Sequence, residues 1–139
     1  MIKPILLDTG VIVALLDRSE KHHAECAKIV SKLKRPLITC EPVIAEACYL
    51  LRKLRGAPEA VLANVENHIF QIPWMLFGNE RRIIELLKKY TKVPMDFADA
   101  CLVGMAEQFE TAEILTLDSD FEIYKWKRKK EFKILISSI

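Results

Sequence analysis

The sequence predicts an α/β fold: three layers, α/β/α, around a mostly parallel sheet with helices on both faces. Three observations predict it. Short unbroken apolar runs, the mark of strands buried on both faces, alternate with stretches whose apolar residues recur at helical spacing. Pro36, Gly56, Pro58 and Pro94 punctuate these segments. Hairpin signals are missing except near the C-terminus, so helical crossovers must join successive strands.

Each element follows from its own residues. Ile5-Leu6-Leu7 is an apolar run stopped by Asp8-Thr9-Gly10, and Val11 to Leu16 begins a helix. His22 to Leu33 carries Ala24, Ala27, Ile29, Val30 and Leu33 in an imperfect helical stripe, which Pro36 ends. Leu37-Ile38-Thr39 is the second strand. Pro42 suits the first turn of the next helix, with Val43, Ala47, Leu50, Leu51 and Leu54 expected on one face. Ala57 to Asn67 restarts a helix, and Phe70-Gln71-Ile72 is a brief strand. Gly78 to Tyr90 reads as a helix with Ile83, Ile84, Leu86 and Leu87, and Asp96 to Glu110 as another. Glu113 to Leu117 and Lys133 to Ile136 are the last two strands.

With 51% hydrophobic and 29% charged residues, the 139-residue chain has material for a real core, which excludes a disordered tail. Residues 1–139 read as a single domain. The longest apolar run, Val11 to Leu16, is far below the ~20 residues that span a bilayer. Pro4 and Asp8 interrupt the N-terminal apolar stretch, so no signal peptide and no membrane association are expected. Cys26, Cys40, Cys48 and Cys101 form neither a CxxC pair nor a histidine-associated metal pattern, as suits a protein of the reducing cytoplasm. The net charge of +2 is uneven: six basic residues between Lys125 and Lys133 against Glu131 give a local +5 and leave −3 elsewhere. Such a segment is either a contact for polyanions or a solvated hairpin.

Carboxylates carry the functional signal. In an open α/β sheet, ligands bind beyond the carboxyl ends of the strands. Asp8 follows the first strand and Asp118 follows Glu113 to Leu117, so both project at that edge if the two strands are parallel. Asp96 and Asp99 share the first turn of a helix, and Glu46 lies one turn into the helix that follows Leu37 to Thr39. Any one of these acids has a plain alternative as a helix cap. Glu46 fits that alternative least, because its apolar neighbours Val43, Ile44, Ala45, Ala47 and Cys48 suggest a setting costly for an unpaired carboxylate.

Convergence would make repulsion decisive. Two carboxylates ~4 Å apart repel by about 4 kcal/mol at an effective dielectric near 20, so a cluster must bind protons, pair with a base or hold a cation. No basic residue adjoins these acids in sequence. All-oxygen ligation selects Mg²⁺ or Mn²⁺ over zinc, and such an ion suits phosphodiester hydrolysis.

Four strings, Ile5-Leu6-Leu7-Asp8-Thr9-Gly10-Val11-Ile12, Val43-Ile44-Ala45-Glu46, Met95-Asp96-Phe97-Ala98-Asp99-Ala100-Cys101-Leu102-Val103 and Leu115-Thr116-Leu117-Asp118-Ser119-Asp120-Phe121, occur in this order. Together they resemble the PIN-domain ribonucleases, and within these the VapC-type toxins of prokaryotic toxin–antitoxin pairs. The resemblance implies a PIN-like five-stranded parallel sheet and Mg²⁺- or Mn²⁺-dependent endonucleolytic cleavage of RNA. It implies Asp8, Glu46, Asp99 and Asp118 as the acidic quartet, with Asp8 and Asp99 as direct ligands and Glu46 and Asp118 binding the metal or ordering its waters. Thr9 and Thr116 look like supporting hydroxyls, and period two puts Thr116 and Asp118 on one side of a strand. Asp96 and Asp120 are additional acids, the first read also as a cap and the second as solvated. The resemblance further implies a cognate antitoxin and a homodimer. Lys125, Lys127, Arg128, Lys129 and Lys130 match no family motif, and their reading as an RNA contact rests on charge.

Other classes fit less well. Leu7-Asp8-Thr9-Gly10 is also an aspartic-protease signature, but those proteins are all-β. A receiver-type module would need its acceptor aspartate on a middle strand and a lysine after a later one. Gly10, Gly56, Gly78 and Gly104 stand too far apart for a phosphate loop. The remaining alternative is a non-catalytic domain of this fold that binds RNA or protein, which would have no need of all four acids.

Overall fold

A computed structural model describes residues 2–136. Its core is a five-stranded, fully parallel sheet in the order β3-β2-β1-β4-β7. The strands are β1 (Ile5–Leu7), β2 (Leu37–Ile38), β3 (Phe70–Gln71), β4 (Glu113–Leu115) and β7 (Lys133–Ile134). β1 is central and wholly buried, as its unbroken apolar run requires. It pairs with β2 through Ile5 and Leu37, and with β4 through Leu7 and Leu115. From β1 the chain first builds one side of the sheet and then crosses to the other, so the strand order reverses between β1 and β4. A crevice at the carboxyl edge follows from that reversal.

The helices are α1 (Thr9–Leu16), α2 (His23–Lys32), α3 (Glu41–Leu50), α4 (Ala57–Glu66), α5 (Glu80–Lys89) and α6 (Phe97–Phe109). α1 and α3 follow β1 and β2, and α6 runs back antiparallel to β4, so all three N-termini lie at the carboxyl edge. Thr39 pins β2 to β1 there by donating its hydroxyl to the Leu7 carbonyl at 2.8 Å. α6 is buried from Ala98 to Ala106. Gly104 allows α5 close to it, since a Cβ there would stand 3.2 Å from the Ile83 side chain.

Several expectations are corrected. α3 buries Val43, Ile44 and Ala47, with Leu51 just beyond it, while Leu50 and Leu54 are exposed. Leu50 is the last residue of α3 and Leu54 lies in the turn beyond it, so the helical face they would share with Val43 and Ala47 runs out before it can bury them. Ile84 is likewise exposed, because Ile83 and Leu86 carry the inward face of α5. β4 ends at Leu115 instead of Leu117, because the Thr116 hydroxyl accepts the Asp118 N–H at 2.9 Å and turns the chain. Asp118 then caps a 3₁₀ turn, Ser119–Glu122.

The basic segment is an antiparallel hairpin of β5 (Lys125–Trp126) and β6 (Lys130–Glu131), packed on α6. No helix among the described residues is long and apolar enough to cross a membrane.

Candidate functional site

Each acid reaches the carboxyl edge for a local reason. Asp8 ends β1 and caps α1, and its Oδ1 accepts the Thr9 N–H at 2.7 Å. Asp96 and Asp99 form a reciprocal capping box at the start of α6, with the Asp99 N–H donating to Asp96 Oδ1 at 2.8 Å. Asp118 Oδ1 accepts the Asp120 N–H at 2.9 Å. Capping and convergence are therefore one arrangement: three capped turns meet where the strand order reverses.

Asp8, Asp99 and Asp118 each offer a carboxylate oxygen, and these oxygens all lie within 4.8 Å of one another. Asp8 and Asp99 are buried and Asp118 is half-buried. The recess they form, about 250 Å³, is also lined by Thr9, Gly10, Glu46, Leu50, Asp96 and Leu117, with no basic side chain. None of the ion pairs among the described residues involves these acids. Burial pushes the Asp8 carboxyl up to about 6, against donors from Thr116 and Thr9 and with help from the charges of Asp118 and Glu46. Burial, then the neighbouring Asp96 and Asp8, also raises Asp99. The donor set is all oxygen, concentrated and without a cationic partner, which fits a hard divalent ion.

Two threonines tie the acids together. Thr116 donates its hydroxyl to Asp8 Oδ2 at 2.6 Å while accepting the Asp118 N–H. Thr9 donates to Glu46 Oε1 at 2.7 Å. Glu46 itself is exposed, contrary to the setting its neighbours suggested, because its helical position turns it away from buried Val43 and Ala47 toward the open recess. It stands outside the close trio. Asp96 is exposed as the cap, and Asp120 contributes a backbone N–H to Asp118.

One contact had no sequence signal. Tyr124, fully buried, donates its hydroxyl to Asp99 Oδ2 at 3.2 Å from beneath the site. Its ring is fixed edge-on by Tyr90 and Phe121. Cys40 and Cys101 are both buried, and the neighbouring Cys101 thiol together with burial pushes the Cys40 thiol up, so it stays protonated.

The basic residues stand elsewhere. The Lys127 N–H is bound to Glu107, eight residues or about 12 Å along α6 from Asp99. The Lys127 ammonium pairs with Glu110 at 2.6 Å and that of Lys125 with Glu131 at 3.3 Å. The Lys130 ammonium lies 4.9 Å from the centre of the Trp126 ring. Arg128 and Lys129 at the turn have no such partner among the described contacts, and Lys127 and Arg128 hold left-handed backbone angles there (φ 47° and 70°).

Known proteins resemble this chain in sequence and in fold. Ribonuclease VapC26 of Mycobacterium tuberculosis is 27% identical over 116 residues, covering 82% of this chain and 86% of that protein. The crystal structure of VapC20 of Mycobacterium tuberculosis, a sarcin–ricin loop cleaving toxin, shares the fold with a TM-score of 0.80 at 19% identity, over 91% of this chain and 98% of that one. The PIN domain family model matches residues 5–127, a span that runs from β1 through all four acids and into the hairpin, and the chain belongs to that family.

Proposed function

We propose that this protein is an endoribonuclease of the VapC toxin type, hydrolysing RNA phosphodiester bonds with Mg²⁺ or Mn²⁺. One observation carries the reading: three carboxylate oxygens within 4.8 Å of one another, in a recess that no basic side chain lines. Family membership and the likeness to a named ribonuclease support it. Asp8, Asp99 and Asp118 are the residues that would hold the ion. A divalent ion in such a site activates water and shields charge developing on phosphate oxygens. The residues do the rest. Thr116 and the Thr9 N–H fix both oxygens of Asp8, and Tyr124 fixes Asp99. Thr9 orients Glu46 through Oε1 and leaves Oε2 at the open side to accept a proton.

The same reading includes an antitoxin partner and a homodimer. Exposed Tyr49, Leu50, Leu54 and Leu62 on and beside α3 and α4 supply apolar surface for association. A neighbouring reading frame encoding a small DNA-binding protein would identify the antitoxin.

The test is cleavage of single-stranded and looped RNA by chelator-treated protein. Cutting should appear only when Mg²⁺ or Mn²⁺ is returned. Asp8→Asn and Asp99→Asn should each lower the rate at least about a hundredfold with unchanged circular dichroism. RNA bound but left intact under every ion would replace the nuclease reading with a non-catalytic one.

A further inference from the structure

Tyr124 is the largest fully buried side chain among the described residues, and its hydroxyl donates to Asp99 Oδ2 at 3.2 Å. Phenylalanine would fill nearly the same space with no polar atom to satisfy, so packing alone does not call for the hydroxyl. The ring is held on two sides. Tyr90 and Phe121 meet it edge-on, each with its centroid 5.1 Å away, and the next residue, Lys125, donates its N–H to Tyr90 Oη at 2.9 Å. The backbone is held too: the Ile123 and Tyr124 N–H groups both donate to the Asp120 carbonyl, at 2.9 and 3.1 Å. That turn begins at Asp118, whose Oδ1 accepts the Asp120 N–H at 2.9 Å. One short segment thus carries an acid of the recess at its start and the donor to a second acid at its end.

These hydrogen bonds decide which carboxylate oxygens remain. Asp99 Oδ2 accepts from Tyr124 and, at 3.4 Å, from the Asp96 N–H, whereas Oδ1 accepts from no donor among the described contacts. Asp118 is divided in the same way, with Oδ1 engaged by the Asp120 N–H and Oδ2 without a donor. Asp8 has a donor on each oxygen, the Thr9 N–H at 2.7 Å and the Thr116 hydroxyl at 2.6 Å. No acid of the trio therefore presents two unengaged oxygens. Such a set suits a small octahedral ion that takes one oxygen from each acid and keeps several waters, as Mg²⁺ does. Ca²⁺ is larger, needs more oxygens and readily takes both from one carboxylate. Tyr124 supplies the one side-chain donor to Asp99 among the described contacts.

We propose that Tyr124 is a positioning residue for ion selection: its hydroxyl engages Asp99 Oδ2, reserves Oδ1 for the ion, and so favours Mg²⁺ and Mn²⁺ over Ca²⁺. It is not itself a ligand and acts through Asp99. The inference rests on the reading of the recess as a divalent-metal site, and adds to that reading the residue that restricts which ion the site accepts.

The test titrates the chelator-stripped full chain with Mn²⁺, read by electron paramagnetic resonance, and with Ca²⁺ in competition, at one pH. Tyr124→Phe should weaken Mn²⁺ binding at least about tenfold and Ca²⁺ binding less, with unchanged circular dichroism. Tyr90→Phe is the packing control: it removes the acceptor of the Lys125 N–H, leaves the donor to Asp99 in place, and should keep the parent's preference between the ions. In an Asp99→Ala background, Tyr124→Phe should change Mn²⁺ affinity by less than about twofold, because its route to the ion is gone. A further readout needs no variant. The chain has three tyrosines, and the ¹³C resonance of Tyr124 Cζ should move as Mg²⁺ saturates the parent while that of exposed Tyr49 stays. Parent-like affinities in Tyr124→Phe, equal losses for both ions, the same change in Tyr90→Phe, a full loss in the Asp99→Ala background, or an unmoved Tyr124 resonance would each overturn the proposal and leave the metal site standing. A parent chain that binds neither ion would overturn the metal site and the proposal together.

Discussion

Thr116 is the residue on which two of the acids depend. Its hydroxyl donates to Asp8 Oδ2 and accepts the Asp118 N–H, so replacing it strips partners from two groups at once. Thr116→Val, nearly the same shape, should lower unfolding free energy by about 1–3 kcal/mol in urea titrations, and Thr116→Ser should recover most of it. Equal stability of the valine and serine variants would remove the hydroxyl from this role. The aspartates were legible in sequence because each stands at a strand–helix or loop–helix junction, where local pattern is informative. Tyr124 was not, because its bond to Asp99 joins positions 25 residues apart with no periodicity between them. Glu46 was seen but misjudged, since apolar neighbours along a helix say nothing of where a residue's own face points.

At the scale of elements, α6 and the hairpin act as one unit. Arg82 on α5 grips Glu107 through two hydrogen bonds of 2.8 and 2.7 Å, and Glu107 also accepts the Lys127 N–H. Burial pulls the Glu107 carboxyl upward, but these donors outweigh it and hold the pKa below its ordinary value. The stabilisation is therefore complete above the unfolded value near 4.5 and is lost as pH falls through the lower folded value. Glu107→Gln should cost about 1–2 kcal/mol at neutral pH, and the gap from the parent should close in acid. A gap that persists undiminished at low pH would contradict the ion pair.

The hairpin itself bears on polyanion contact. Two of its lysines pair with glutamates and a third lies over Trp126, which leaves Arg128 and Lys129 as the cations available to phosphate. Replacing that pair by alanine should reduce the slope of log affinity for RNA against log salt by about 1.4, and neutralising Lys125 should change it little. An unaltered slope would leave the hairpin simply solvated. The apolar runs announced the strands well; the error at β4 arose because Thr116 and Leu117 suit a strand while the Thr116 hydroxyl bends the chain.

Across the whole molecule, the order β3-β2-β1-β4-β7 places the reversal beside β1, and this one topological fact gathers acids that are far apart in sequence. Order and register depend on crossovers that no local pattern specifies, so the alternation was readable and the meeting of the acids was an inference from it. The arrangement opposes stability without an ion. Asp8 binds its proton more tightly when folded, with a value of about 6 against 3.8, so the ion-free protein should lose stability as pH rises through that window and stay weakened above it. A bound cation favours the ionised carboxylates and reverses the trend.

The most direct measurement is Mn²⁺ binding to chelator-stripped protein, followed by electron paramagnetic resonance from about pH 5 to about pH 8. The parent should bind one or two ions with affinity rising over that range, and Asp99→Asn should bind at least about tenfold more weakly. Equal Mn²⁺ binding by parent and variant, or affinity indifferent to pH, would contradict an acidic recess built to hold a divalent ion.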